Sequence, residues 1–234
     1  MEKKQLKTCI VLPAFNEESN IAAVLDKINA QAIDAVVIDD GSSDSTGDVA
    51  YRHGAFVITH KNRGGKGASL RDGFAYVAGK EYDFVIALDS DGQHDPNEIP
   101  LFLRQAQISN ADIIVGNRLW RPTGMPIVRL FTNRFMSLVI SALCGCWIPD
   151  SQCGFRLFRV KAISSIKIEG NKFEIDSEPL VKLARRGYAI ESIPITSIYG
   201  KEKSQINPLV DTMRFFRFVI KAIFYQKGRN ENVT

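Results

Sequence analysis

Asp89-Ser90-Asp91 sets two carboxylates one residue apart, directly after the apolar run Phe84-Val85-Ile86-Ala87-Leu88. A run of that kind reads as a strand buried on both faces. Two acids just past its end can converge on a hard divalent cation such as Mg²⁺ or Mn²⁺, and Gln93 can add an amide oxygen. The same acids can instead begin a polar loop and cap the helix that starts at Pro96. The tripeptide alone leaves both readings open.

Three further polar clusters follow strand-like runs in the same way. Pro13-Ala14-Phe15-Asn16-Glu17 follows Thr8 to Leu12, and Asp39-Asp40-Gly41-Ser42-Ser43-Asp44 follows Ala35 to Ile38. The basic, glycine-rich stretch His60-Lys61-Asn62-Arg63-Gly64-Gly65-Lys66-Gly67 follows Ala55 to Ile58. Lys66 reads either as a phosphate-neutralising group or as a solvated loop charge, and His94 as a loop histidine rather than a ligand. From residue 118 onward arginines punctuate apolar sequence: Arg118, Arg121, Arg129, Arg134 and Arg156. Their planar forks suit phosphate; at least two of them are expected instead to be surface charges lying beside apolar helices.

These groups need a scaffold that brings loop ends together. Ile21, Val24, Leu25 and Ile28 recur at helical spacing behind Ser19 or Asn20 as a cap. Ala68, Phe74 and Val77 mark a second inward face, Ile99, Phe102, Leu103 and Ala106 a third, and Ile113 to Gly116 a further strand. Strand and helix alternate up to about residue 117, which predicts an α/β fold with a mainly parallel, Rossmann-like sheet flanked by helices. In such sheets ligands bind beyond the carboxyl ends of the strands, where all four polar clusters fall.

Two common nucleotide motifs are excluded. A dinucleotide fingerprint should follow the first strand, yet no glycine lies between Pro13 and Glu17, and Gly65-Lys66-Gly67 meets Leu70 where a third glycine belongs. A P-loop fails because His60 and Gly67 occupy its first glycine and its Ser/Thr position.

In order, Val11 to Glu18, Val37 to Asp44, Asn62 to Gly67 and Asp89 to His94 resemble the motifs of family 2 glycosyltransferases of the GT-A fold. Gly116-Asn117-Arg118 and Asp150-Ser151-Gln152-Cys153-Gly154-Phe155-Arg156-Leu157-Phe158 resemble the branch that loads a hexose onto dolichyl or polyprenyl phosphate. The resemblance spans residues 8 to about 205 and implies an inverting transferase using a nucleotide-sugar donor, UDP-glucose or GDP-mannose. It implies donor contacts from Pro13, Phe15, Glu17, Asp39, Asp40, Lys66, Asp89 and Ser90. Glu17 suits a ribose hydroxyl, Asp39 a base N–H, and Asp40 supports their loop. Mg²⁺ or Mn²⁺ is expected on Asp89, Asp91 and Gln93. The Asp150 to Phe155 stretch leans toward the glucosyl type, with the mannosyl type kept beside it.

The acceptor decides whether a base is needed. A sugar hydroxyl must lose a proton as it attacks, whereas a lipid phosphate is already an anion and needs cations to hold it. Arg118, Arg129 and Arg134 are the expected acceptor-phosphate ligands, with Asp91, Arg118 and Arg134 central to catalysis. The alternative is a family 2 transferase acting on a sugar hydroxyl, with Asp150, Glu174 or Asp176 as base.

The chain has 234 residues, 45% of them hydrophobic and 24% charged, and a net charge of +4, as expected of a globular domain without a nucleic-acid partner. Cys9, Cys144, Cys146 and Cys153 show no Cys-x-x-Cys spacing and read as buried thiols in a reducing compartment. No signal peptide is expected, and no run of roughly 20 apolar residues appears. Phe135 to Pro149, which is free of charge, reads as a buried or interfacial helix. A catalytic domain at 1–205 is expected, followed by a membrane-associating segment at 206–234. There a helix over Thr212 to Tyr225 would set Arg214, Arg217 and Lys221 opposite Phe215, Phe216, Val219, Ile220 and Ile223. Packing against the domain itself or a partner subunit is the competing reading. Peripheral attachment to the cytoplasmic side of a membrane and a possible homo-oligomer complete the expectations.

Overall fold

The computed structural model describes residues 6–170, 174–198, 213 and 215–223. Its centre is β1 (Thr8–Ala14), in which Cys9, Ile10, Val11 and Leu12 are all fully buried. A strand packed on both faces needs consecutive apolar residues, and this one has them from Cys9 to Ala14. β1 pairs in parallel with β2 (Asp34–Asp39) on one side and β4 (Phe84–Ala87) on the other. β3 (Phe56–Thr59) extends the sheet beyond β2.

The chain therefore winds outward through α1 (Ile21–Asn29) and α2 (Thr46–Arg52), then returns through α3 (Lys66–Ala78) to the far side of β1. That reversal puts a topological switch point at the carboxyl ends of β1 and β4, the place where open α/β sheets bind ligands. α1 buries the four residues its spacing predicts, Ile21, Val24, Leu25 and Ile28. Asn20 does stand at its N-cap, but its amide donates to Glu17 Oε2 at 2.8 Å instead of capping the helix. α3 lies close on β1 because Gly73 carries no side chain; a Cβ there would come within 2.3 Å of Val11 Cγ1. In this helix Phe74 and Val77 are buried as predicted, while Ala68 is half-exposed.

Beyond β4 the sheet departs from simple alternation. A 3₁₀ turn at Pro96–Glu98, α4 (Ile99–Ile108) and β5 (Ile113–Asn117) follow as predicted, but β5 does not pair with β4. β6 (Arg156–Arg159) is inserted between them, antiparallel to both, and β7 (Ile190–Pro194) adds in parallel beyond β5. The 7-stranded order is β3-β2-β1-β4-β6-β5-β7.

α5 (Ile127–Cys144) begins earlier and ends sooner than the stretch 135–149 suggests, stopping where Gly145 turns left-handed at φ 70°. Its Ser137 and Ser141 face inward and bond Ser151 and Ile148. Ile127, Val128, Phe131, Phe135 and Leu138 remain exposed. By length and composition α5 is the one helix among the described residues that could cross a membrane, and 28% of it is buried. α6 (Val160–Ile163) and α7 (Glu174–Ala184) complete the helical layer.

Residues 215–223 are helical, with Phe215 and Ala222 joined to the main core and Phe216, Ile220 and Ile223 exposed. This segment thus packs on its own domain through one face and leaves a second apolar face outside. Arg217 and Lys221 are exposed as expected. Arg214, Thr212, Tyr225 and the 205/206 boundary lie outside the described residues.

Candidate active site

The loops after β1 and β2 are laced together by short polar side chains. Asn16, held at φ 56°, receives Ser43 N at 2.9 Å on Oδ1, and its own N–H donates to Ser42 Oγ at 3.0 Å. Glu17 N–H donates to Thr46 Oγ1 at 2.8 Å. Asp39 is buried, its Oδ1 accepting from Ser42 N at 3.0 Å and its Oδ2 lying beside Gly47. Phe15 is half-buried, and the Arg63 guanidinium stacks 3.8 Å above its ring. Pro13 is tied to the acidic loop, for Ser90 Oγ donates to its carbonyl at 2.8 Å.

Asp40 organises the glycine-rich loop. Its Oδ1 accepts from Gly64 N at 2.8 Å and its Oδ2 from Gly65 N at 2.7 Å. His60 Nδ1 lies 2.8 Å from Asp40 Oδ1, and its Nε2 lies 2.9 Å from Asp72 Oδ2. Burial would lower the His60 pKa, but the two carboxylates outweigh it and raise it. A role for Asp40 inside the protein is thereby explained without a direct donor contact: it fixes the loop from which Lys66 projects.

Lys66 closes the rim. Its ammonium lies 2.7 Å from Asp89 Oδ1 and 3.4 Å from Asp176 Oδ1. Burial opposes its charge, yet Asp176 and Asp89 together raise its pKa above the ordinary lysine value. So the loop-charge reading of Lys66 fails: the side chain is built into the acidic site. Asp89 also pays a desolvation penalty, which Lys66, and then His94 and Arg118, overcome to hold its pKa low. Asp91 is left the weaker acid, pushed up to about 6 by burial and by repulsion from Asp89. Gln93 N–H donates to Asp91 Oδ1 at 2.9 Å, and the Gln93 carbonyl accepts from Ile198 N at 2.9 Å.

This donor set fits Mg²⁺ or Mn²⁺. Both acids offer hard oxygens, and the repulsion that raises Asp91 is what a divalent ion between them would relieve. No group of three or more His, Cys, Asp or Glu side chains suited to a metal occurs among the described residues. Such a site matches an ion that takes its remaining ligands from substrate phosphate and water.

Two arginines hold protein instead of awaiting phosphate. Arg118 is buried and clamps Asp150 through Nε to Oδ2 at 2.8 Å and Nη2 to Oδ1 at 3.0 Å, with its backbone N–H on Oδ2 at 3.1 Å. Its fork is committed to a carboxylate, which speaks against Arg118 as an acceptor-phosphate ligand. Asp150 is fully buried with both oxygens engaged, which equally disqualifies it as a base. Arg156 donates to the carbonyls of Cys153 at 2.7 Å and Ser151 at 2.8 Å, and to that of Asp176. Neither of these two is a surface charge lying beside an apolar helix. Arg121 and Arg134 are exposed and Arg129 is half-buried, the last two on α5. Glu174 and Asp176 open α7. His94 is buried against Phe155, its pKa lowered to about 4 by burial and then by Arg118, and its Nδ1 has no hydrogen-bond partner among the described residues.

Sequence reasoning missed Gly154. A Cβ there would stand 2.1 Å from Asp89 Oδ2, so the absent side chain is what lets β6's loop pass under the acid. A cavity of about 690 Å³, lined by Leu6, Thr8, Ile33 and Tyr82 among others, lies at the opposite end of β1 and contains none of the predicted site residues.

The family model described as "Glycosyl transferase family 2" matches residues 9–167. An undecaprenyl-phosphate mannosyltransferase of Micrococcus luteus is 27% identical over 82% of this chain and 84% of its own. A UDP-N-acetylglucosamine–dolichyl-phosphate N-acetylglucosaminyltransferase of Methanococcus voltae is 27% identical over 81% of this chain and 85% of its own. Among solved structures, glucosyl-3-phosphoglycerate synthase from Mycobacterium tuberculosis, at 22% identity, superposes with a TM-score of 0.73 over 95% of this chain and 80% of that one. The fold it shares is the mixed α/β sheet of GT-A enzymes.

Proposed function

The chain belongs to glycosyl transferase family 2, and on that premise we propose that it moves a hexose, glucose or mannose, from a nucleotide-diphosphate sugar to dolichyl or polyprenyl phosphate. The observation that carries the lipid acceptor is α5. It is seated on the Asp150 loop through Ser137 and Ser141, and carries Arg129 and Arg134 among the exposed Ile127, Val128, Phe131 and Phe135. Cations set in an apolar face suit an anionic headgroup on a hydrocarbon tail. The names of the Micrococcus and Methanococcus relatives support the same acceptor class.

In this reading Asp39 takes a base N–H and Glu17 a ribose hydroxyl, on loops already braced against each other. Pro13, Phe15 and Ser90 complete the donor contacts. Asp89 and Asp91, with Gln93, would hold Mg²⁺ or Mn²⁺, which offsets charge on the departing nucleoside diphosphate. The mycobacterial synthase has been solved with Mn²⁺ and UDP, which supports that assignment. Arg129 and Arg134 orient the acceptor phosphate, which attacks without a base and from the face opposite the diphosphate, inverting the anomeric centre. Attachment is peripheral, through α5 and the exposed face of residues 215–223.

The test is transfer from tagged UDP-glucose, GDP-mannose and UDP-N-acetylglucosamine to a short polyprenyl phosphate in vesicles, read as organic-extractable sugar. Absence of extractable product with all three donors, from protein that binds donor, would sink the lipid reading. The second reading, a sugar-hydroxyl acceptor, draws on Asp176, a carboxylate that reaches the site beside Asp89 and Lys66. Loss of turnover in Asp176→Asn with donor affinity unchanged would favour it.

A further inference from the structure

A cation belonging to the chain itself lies against the acidic pair. Lys66 Nζ is 2.7 Å from Asp89 Oδ1 and 3.4 Å from Asp176 Oδ1, so the ammonium bridges the end of β4 and the first turn of α7. Its partners have little room to move away. Asp89 Oδ2 rests over Gly154, at a distance that leaves no space for even a methyl group. Asp176 is held by Arg156, which donates to its carbonyl and has Nη2 3.9 Å from its carboxylate. Lys66 is positioned in turn by Gly64 and Gly65, whose N–H groups are both bound to Asp40. An ion entering alone would meet, at Asp89, a carboxylate whose charge the ammonium already neutralises through Oδ1. Among the described residues no third acid, histidine or cysteine joins the pair to make its entry favourable.

We propose that Lys66 is a built-in counter-ion that keeps the divalent cation off Asp89 until a nucleoside diphosphate arrives. The diphosphate supplies oxygen ligands to the ion and a new anionic partner for the ammonium, so ion and nucleotide bind as one event. Linkage then requires each to tighten the other by the same factor. This inference rests on the donor and metal reading above.

The experiment titrates Mn²⁺ into the full chain, following free Mn²⁺ by electron paramagnetic resonance, alone and with saturating UDP or GDP. Wild-type protein is expected to bind Mn²⁺ at least tenfold more tightly with nucleotide than without. In Lys66→Met, Mn²⁺ alone should bind at least tenfold more tightly than to wild type, and nucleotide should tighten it by a smaller factor than in wild type. Lys66→Arg, which keeps the charge, should stay weak for Mn²⁺ alone. Lys66→Gln provides a polar, uncharged second variant should the methionine protein fail to fold. Mn²⁺ alone binding folded Lys66→Met or Lys66→Gln no better than wild type, while wild type does bind Mn²⁺ with nucleotide, overturns the counter-ion role and spares the functional reading. Wild type binding no Mn²⁺ with either nucleotide overturns both.

Discussion

Gly154→Ala tests whether the position of Asp89 matters as the geometry says. The added methyl would lie 2.1 Å from Asp89 Oδ2, 2.8 Å from Cγ and 3.0 Å from Oδ1, so the whole carboxylate is in its way. Restoring ordinary contact requires Asp89 to retreat by about 1 Å. Alanine brings no backbone penalty, because Gly154 is not among the glycines at positive φ. A displacement of that size at a reacting centre costs about 100-fold in rate, or ~2.7 kcal/mol in barrier height. The assay is donor turnover with Mn²⁺, paired with Mn²⁺ affinity in the presence of nucleoside diphosphate and with thermal unfolding. Turnover should drop by about 100-fold and Mn²⁺ affinity should fall, and the melting temperature should drop as well, because the methyl is forced against a half-buried, ion-paired carboxylate. Turnover within threefold of wild type in a folded variant would refute the claim that Gly154 sets the acid's position.

Asp91→Asn should abolish metal-dependent turnover yet raise the melting temperature of the metal-free protein at pH 8. The Asp91 pKa is raised to about 6 in the fold, so folding favours its protonated form and stability is lost as pH rises from about 4 to 6. A melting temperature lower than wild type at pH 8 would count against that burial and repulsion. For the same reason Mn²⁺ affinity should strengthen as pH rises through about 6, and a flat profile from pH 5 to 8 would contradict it. His60 has the same sign of linkage in a higher pH window, since its pKa is also raised, here by Asp40 and Asp72. Its stabilisation is complete below the ordinary histidine range and disappears as pH rises through the raised value, so His60→Gln should lower the melting temperature at pH 6 more than at pH 9. Equal losses at both values would refute the ion pairs. Gly73→Ala should cost about 1–3 kcal/mol in denaturant unfolding by forcing α3 off Val11, and an unchanged midpoint would show that α3 can shift freely.

The sequence made the first half of the sheet legible because each element there is local. Val11, Val36, Val37 and Ile86 lie in unbroken apolar runs, and α1 repeats its buried residues at helical spacing. The polar clusters were legible as a rim because strand ends in a parallel sheet share one edge. β6 escaped because Arg156 and Arg159 bracket only two apolar residues, a pattern that does not announce a central strand. Arg118 looked like a phosphate ligand because nothing local reveals its partner, Asp150, 32 positions later. Lys66 and Asp176 stand 110 positions apart, so their meeting is a product of the fold alone. Gly154 was visible as part of a motif, but a missing side chain has chemical meaning only once its neighbour is known.

The insertion of β6 between β4 and β5 bears on how the chain can assemble during synthesis. β1 to β4 pair among themselves and can form a sheet as soon as residue 87 has emerged. β5 is made next, yet its route to that sheet runs through β6, which is completed only at Arg159. Until then β4 presents an open edge whose backbone groups wait for a partner. Closing so long a loop before the pairing is rewarded carries an entropic cost that should slow this step. Because the loop that precedes β6 carries Gly154, and Asp89 follows just after β4, the late docking of one four-residue strand also brings the acidic site into register.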